Sequence, residues 1–180
     1  MIQAFIAPGK VIDLTGDLAD VTIEDIAACL ALQVRFNGAL GPLSVAEHSI
    51  HVADYAKHIL HGTPQEELAA LLHDAHEALL GDITRPVMTF LGPEFSERVK
   101  CAKDVLDRKL EQRFGLPHRI IAREIISEAD NAILHYECLH GYTEREELGM
   151  VETVGRDVYT LFLSRFEQLQ EQIDTTKAEG

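Results

Sequence analysis

The chain predicts an all-α fold, a single-domain helical bundle of about six helices, and three observations carry that expectation. Its 180 residues suffice for one domain with a substantial core, and nothing in their composition is disordered or fibrous. Hydrophobic residues make up 46% with no Trp, and the abundance of Ala and Leu favours helix over sheet. Several segments open with a hydroxyl residue followed three positions later by an acid, the reciprocal cap that satisfies free N–H groups at a helix start.

Residues 1–17 read as an N-terminal extended segment, with Val11, Ile12 and Leu14 between Gly9 and Asp17. Thr22 with Asp25 opens a helix over 22–33, in a weaker form of the capping box. The stretch from Arg35 to Leu43 holds Gly38, Gly41 and Pro42 and reads as a loop. Ser44 with Glu47 opens a helix over 44–60, and Thr63 with Pro64 and Glu66 opens one over 64–80. Apolar spacing predicts further helices over 95–114 and 118–140, and Thr143 with Glu146 introduces the last, over 144–173. Residues 174–180 are polar enough to fray. No internal repeat, low-complexity tract or linker divides the chain, so residues 1–180 form one domain.

A formal net charge of −14 repels nucleic acid and anionic membranes, which excludes a polynucleotide or membrane partner. A phosphorylated ligand has to be small and met by local positive charge or a metal. Cys29, Cys101 and Cys138 are odd in number and widely spaced, which points to reduced thiols. The first residues lack a basic region followed by a long apolar run, and no apolar stretch reaches the length of a membrane span. A soluble cytoplasmic protein is expected.

The segment Leu72-His73-Asp74-Ala75-His76-Glu77-Ala78-Leu79-Leu80-Gly81-Asp82 puts five metal-capable or proton-transferring side chains into an apolar helix. Burying a carboxylate or imidazole without a partner costs several kcal/mol, so adjacent His73 and Asp74 ask for a compensating cation. His73 and Glu77 lie one turn apart, as do Asp74 and Glu77, which sets ligand and base side by side. Asp82 follows the helix-stopping Gly81 and can curl back over the same pocket. Other helices have to complete a divalent site. His48, one turn into the helix capped by Ser44, and Asp130, a polar interruption in an apolar helix, are the candidates.

A His, then an adjacent His-Asp pair, then a distant Asp, all on helices, resembles the HD phosphohydrolase superfamily. The runs Arg35-Phe36-Asn37-Gly38, Ser44-Val45-Ala46-Glu47-His48-Ser49, His73 to Ala78 and Gly81-Asp82-Ile83 look like its compact bacterial and phage branch. That branch includes deoxyribonucleoside 5′-monophosphatases and a dATP triphosphohydrolase. The resemblance implies that His48, His73, Asp74 and Asp130 ligate the metal and that Glu77 positions the attacking water. It makes Asp82 a proton donor or water-network partner and Arg35 a phosphate clamp, and it implies a homo-oligomer. A set of two His and two Asp suits Zn²⁺, Co²⁺, Mn²⁺ or Fe²⁺, with Mg²⁺ available to substrate phosphates. Such an ion brings the pKa of bound water to ~7 in favourable sites.

Relatives often carry Lys shortly after the Gly-Asp-Ile run, where this chain reads Thr84-Arg85-Pro86-Val87-Met88, so Arg85 is the candidate replacement at the substrate. Val34 and Phe36 flank Arg35 and either shape a nucleobase pocket or pack into the core. His76 is expected to face away from the metal group. His51, His58, His61, His118, His135 and His140 are expected to be surface or packing residues, and Glu144, Glu146 and Glu147 a solvated helix start. The function expected is metal-dependent hydrolysis of small deoxynucleotides at the phosphorus nearest the sugar, releasing nucleoside plus phosphate or triphosphate. The rivals are a non-catalytic nucleotide sensor and a cyclic-nucleotide phosphodiesterase.

Overall fold

The computed structural model describes residues 2–141 and 156–179. Within them the fold is mostly helical, as predicted, with eight α-helices where about six were expected and a small two-stranded sheet. The sheet occupies the N-terminal segment read as merely extended. Strands β1 (Gln3–Ala7) and β2 (Lys10–Asp13) pair antiparallel around Pro8-Gly9, with Gly9 at φ 73°. Pro followed by a residue with positive φ is the signature of a tight turn, which Gly supplies without a Cβ penalty.

Helix α1 (Ile23–Leu32) starts with a complete Thr22–Asp25 capping box. Residues Arg35–Gly38 then make a single 3₁₀ turn in which Phe36 and Asn37 hold left-handed backbone, at φ 54° and 52°. Asn tolerates that region, whereas Phe is strained there. Helix α2 (Val45–His58) follows Ser44, and α3 (Pro64–Leu71) follows a complete Thr63–Glu66 box with Pro64 in the first turn. Small residues line both helices where they pack: Ala53 and Ala56 on α2 and Ala69 and Ala70 on α3 are fully buried. Their size allows close approach of the two backbones.

The helix predicted over 64–80 does not run through. It stops at Leu71, passes through an irregular turn at 72–76, and resumes as the short α4 (Glu77–Leu80), which Gly81 terminates at φ 78°. A further helix missed in the sequence, α5 (Arg85–Leu91), ends at Gly92, and α6 (Pro93–Arg113) starts there. The helix predicted from 118 begins later, as α7 (Glu124–His140). Before it, the Glu111 carboxylate accepts from the backbone N–H groups of Arg119 (2.7 Å) and Ile121 (3.0 Å), holding that segment in turns. Helix α8 (Arg156–Glu179) continues through residues 174–179, which the sequence marks as a polar tail. The start of the predicted 144–173 helix, including Thr143, Glu144, Glu146 and Glu147, lies outside the described residues.

Helix α2 is the hub, packed against α1, α3, α7 and α8, and α8 also closes over α1 and α3. Phe162, Leu169 and Val158 of α8 join Leu68, Leu71 and Val52 in the core. Behind them Arg165 pairs with Asp54 and lies 3.7 Å from buried Glu67, so α8 is fixed by charge as well as by apolar contact. The hub matters for function because α2, the 72–76 turn and α7 bring together the polar residues of the next section. No described helix is long and apolar enough to cross a membrane.

Candidate metal and phosphate site

Ser44 accepts from the Glu47 N–H at 3.1 Å and starts α2, so His48 falls one turn in, where it is fully buried. With its proton on Nδ1, His48 donates to Glu137 Oε1 at 2.9 Å. Its Nε2 is then aimed at carboxylates, 3.1 Å from Asp130 Oδ1 and 4.0 Å from Asp74 Oδ2. Asp130 and Glu137 both come from α7, two turns apart on one face.

The turn at 72–76 supplies the other half. Backbone bonds there run from residue i to i+3, from Ala75 N to Leu72 O (3.0 Å), Glu77 N to Asp74 O (2.9 Å) and Ala78 N to Ala75 O (3.2 Å). This tighter winding is common where a helix is interrupted for function, and it turns His73 and Asp74 toward the same group. His73 Nδ1–H donates to Ala70 O at 2.8 Å, which leaves Nε2 to face the site. That Nε2 is 3.2 Å from Asp74 Oδ2 and 3.8 Å from Asp130 Oδ1, yet it is buried and makes no hydrogen bond.

These four residues fit a divalent cation. Donor atoms of His48, His73 and Asp130 lie within 4.8 Å of one another, and Asp74 Oδ2 faces both imidazoles. An unpartnered imidazole nitrogen held by a backbone acceptor on its other side is the arrangement a metal-binding His adopts. Two imidazoles and two carboxylates form a borderline donor set suited to first-row transition metals.

The electrostatics carry the same signature. Burial disfavours the His73 cation, but the Asp74 and Asp130 carboxylates outweigh it and push its pKa up to about 9. Asp74 pays for burial too, yet the neighbouring His73 charge holds it well below the usual carboxylate range. Asp130 and Glu137 are likewise held low against burial, each mainly by His48. The protein thus gathers anions around a point where positive charge is favoured.

Arg35 enters from the strained turn. Its Nε (3.1 Å) and Nη2 (3.0 Å) both contact Glu137 Oε2, and Nη1 lies 3.8 Å from Asp74 Oδ2. Glu77, at the start of α4, accepts from Lys103 Nζ at 3.1 Å through Oε1, whereas its buried Oε2 has no partner. Burial and the nearby Asp74 charge push its pKa up to about 8 despite Lys103. Asp82 is half-buried, and burial raises its carboxyl as well. Arg35, Phe36, Asp74, Glu77, Asp82 and Asp130 are among the residues lining a cavity of about 400 Å³. That volume is in the range of small-molecule sites.

The structure therefore brings together His48, His73, Asp74, Asp130, Glu77, Asp82 and Arg35. Arg85 also reaches the rim, 3.2 Å from Asn131 Oδ1 and 3.5 Å from Asp130 Oδ2, although it is mostly exposed. Val34 is not part of the cavity lining: it is 44% exposed and bridges to Ser44 as an isolated β-pair. Its backbone pairing turns the side chain toward solvent, while Phe36 does line the pocket. His76 was expected to face away, but it is buried and falls in a second donor group with Asp74 and Glu77. Of the remaining histidines, His51 is buried and its charge acts on Glu137, His140 stacks on Tyr136 at 4.4 Å, and His58, His61, His118 and His135 are exposed.

Three contributors were missed in the sequence: Glu137, Lys103 and Asp107. Glu137 follows Asp130 by seven residues on one helix, a spacing that repeats a face every two turns and could have revealed it. Lys103 and Asp107 lie on α6, and only the docking of α6 brings them here.

No protein-family model matches the chain. It is 28% identical over 167 residues to the uncharacterized protein YfdR of Escherichia coli, a match covering 84% of this chain and 86% of that protein. It is 38% identical over 135 residues to the uncharacterized protein RCAP_rcc00048 of Rhodobacter capsulatus, covering 71% of this chain and 67% of that one. At that identity and coverage, this chain belongs to the same protein family as RCAP_rcc00048.

Proposed function

We propose that this protein is a divalent-metal-dependent phosphohydrolase of the HD type, acting on small nucleotides, deoxynucleotides foremost, at the phosphorus nearest the sugar. The observation that carries the proposal is the convergence of His48, His73, Asp74 and Asp130 beside a 400 Å³ cavity that also holds Arg35 and Glu77. Those four residues would hold the cation, which would supply Lewis acidity toward the phosphoryl group and lower the pKa of water.

The chain's own groups supply the rest. Glu77 Oε2 orients the attacking water and takes its proton, while Lys103 on Oε1 fixes the carboxylate. Arg35, braced by Glu137 along one edge, presents Nη1 to the phosphoryl oxygens, where planar guanidinium donors offset developing charge. Water oxygen bonds to phosphorus, the bond from phosphorus to the sugar oxygen breaks, and Asp82 delivers a proton to the departing oxygen. Monophosphates then yield nucleoside and phosphate, and triphosphates yield nucleoside and intact triphosphate. An acidic chain of net charge −14 thereby handles an anion through local cations.

The test is product chromatography after incubating Co²⁺- or Mn²⁺-loaded protein with each deoxynucleoside mono- and triphosphate, beside a Glu77→Ala control. Metal-dependent release of nucleoside is expected. Absence of product from both series sinks the proposal and leaves ligand sensing as the role of the pocket.

A further inference from the structure

We infer that Gln33 is a positioning residue: its side-chain amide holds the main chain of Glu77 and so aims the water-orienting carboxylate relative to Arg35. The inference deepens the preceding reading and rests on the role given there to Glu77. Gln33 closes α1 and is half-buried, and its Nε2 donates to the Glu77 carbonyl at 2.8 Å across 44 positions of chain. Only that orientation of the amide sets a donor against an acceptor, and it leaves Gln33 Oε1 buried with no hydrogen-bond partner. The Glu77 carbonyl does not need the bond, because it already accepts from the Gly81 N–H at 2.8 Å. A second donor on a satisfied carbonyl, kept although it orphans an acceptor beside it, is a poor way to stabilise a helix junction. It is a good way to fix where one backbone atom lies.

Glu77 needs such a fixture. It opens α4, which has only four residues and follows an irregular turn, so no long run of helical bonds sets its position. Lys103 holds one carboxylate oxygen, and the Glu77 N–H donates to Asp74 O at 2.9 Å. The Gln33 bond is a third tether, and it comes from the segment that carries the phosphate clamp. Gln33 O accepts from the Val45 N–H at 2.9 Å, and the Arg35 N–H donates to Leu43 O at 2.8 Å. Residues 33–35 are thus paired against 43–45, the stretch that leads into α2 and His48. One side chain therefore ties the main chain of Glu77 to the origins of both Arg35 and His48. Gln33 is not among the residues lining the cavity, so its effect on the reaction runs through Glu77. Displacing a reacting group by about 1 Å can lower a rate by roughly 100-fold, which gives such a tether its leverage.

The experiment is steady-state kinetics of the Mn²⁺-loaded full chain on each deoxynucleoside mono- and triphosphate, for Gln33→Met and Gln33→Glu, alone and combined with Glu77→Ala. Gln33→Met keeps the length of the side chain and removes its donor, so kcat should fall about 10- to 100-fold while KM and bound metal stay unchanged. The urea midpoint of the metal-free protein should not fall, because the orphaned acceptor leaves with the donor. Gln33→Glu sets an oxygen against the Glu77 carbonyl in nearly the same volume; it should lose kcat likewise and serves if the Met variant does not fold. In the Glu77→Ala background neither substitution should lower kcat further, since the carboxylate it aims is gone. An unchanged kcat, the same fold-loss with and without Glu77, or failure of both variants to fold overturns the assignment and leaves Gln33 a packing residue. A wild type that releases no nucleoside overturns the proposed function, and this assignment with it.

Discussion

Glu137 gives the sharpest test of how the site is built. Its carboxylate receives His48 Nδ1 at 2.9 Å and Arg35 at 3.0 and 3.1 Å, and its side chain is 3% exposed. Glu137→Ala leaves the half-buried Arg35 charge and the His48 N–H without an acceptor, at a cost of about 3–5 kcal/mol for a broken buried pair. Glu137→Gln keeps the volume and one acceptor oxygen but removes the charge, at about 1.5–3 kcal/mol, the worth of a charge-assisted hydrogen bond. Because Glu137 also sets the His48 tautomer, the Gln variant should bind the ion held by His48, His73, Asp74 and Asp130 about 10- to 100-fold more weakly. Competition against a chromophoric chelator measures that affinity, and urea unfolding of the metal-free protein measures stability separately. A Gln variant with unchanged ion affinity, tested beside a His73→Ala protein that has lost it, would refute the idea that Glu137 orients a metal-ligating His48.

Four further outcomes are expected. Glu77→Ala should keep the ion held by His48, His73, Asp74 and Asp130 but lose turnover by roughly 100-fold or more, checked by elemental analysis and product assay on one preparation. Arg35→Ala should raise KM and lower kcat together, since the guanidinium serves bound and transferring phosphate alike; steady-state kinetics with an unchanged profile would remove it from the site. Thr63→Ala should cost about 1 kcal/mol by removing the cap of α3. The acid in that cap has a pH signature: backbone bonding to Thr63 holds the Glu66 pKa below its ordinary 4.5, against a smaller contribution from burial. A lowered folded-state pKa means that its stabilisation is present above 4.5 and is lost as pH falls through the folded value. Urea midpoints of Glu66→Gln should therefore lie below wild type at pH 7 and converge with it in acid.

The sequence was most legible where one local rule acts. Thr63-Pro64 and Glu66 announced a helix start that the structure completes in full, and Ser44 placed His48 one turn inside α2. His73 and Asp74 were conspicuous because two polar residues in an Ala/Leu background demand compensation. The break after Leu71 was hidden for the opposite reason: Leu72, Ala75, Ala78 and Leu79 keep a helical apolar pattern through a backbone that leaves α geometry. Helix α5 escaped notice because Pro86 and the flanking Gly81 and Gly92 suggested loop, although Pro sits comfortably in a first turn. Asp107 and Lys103 carry no local signal, since their partners, His76 and Glu77, lie about 30 residues away on other elements. Val34 stands outside the cavity lining because neighbours of a key residue need not share its direction, and here the chain passes through an extended pairing with Ser44.

The spread of the donors along the chain has a consequence of its own. His48 and Asp130 are 82 positions apart, and the described cysteines are all free thiols. A cation gripping both would tie together nearly half the sequence, much as a disulfide does, because the entropy denied to the unfolded chain grows with the loop enclosed. Unlike a disulfide, this tie is governed by ion supply rather than by oxidants, so the same availability that sets chemical competence would also set how firmly the helices hold together.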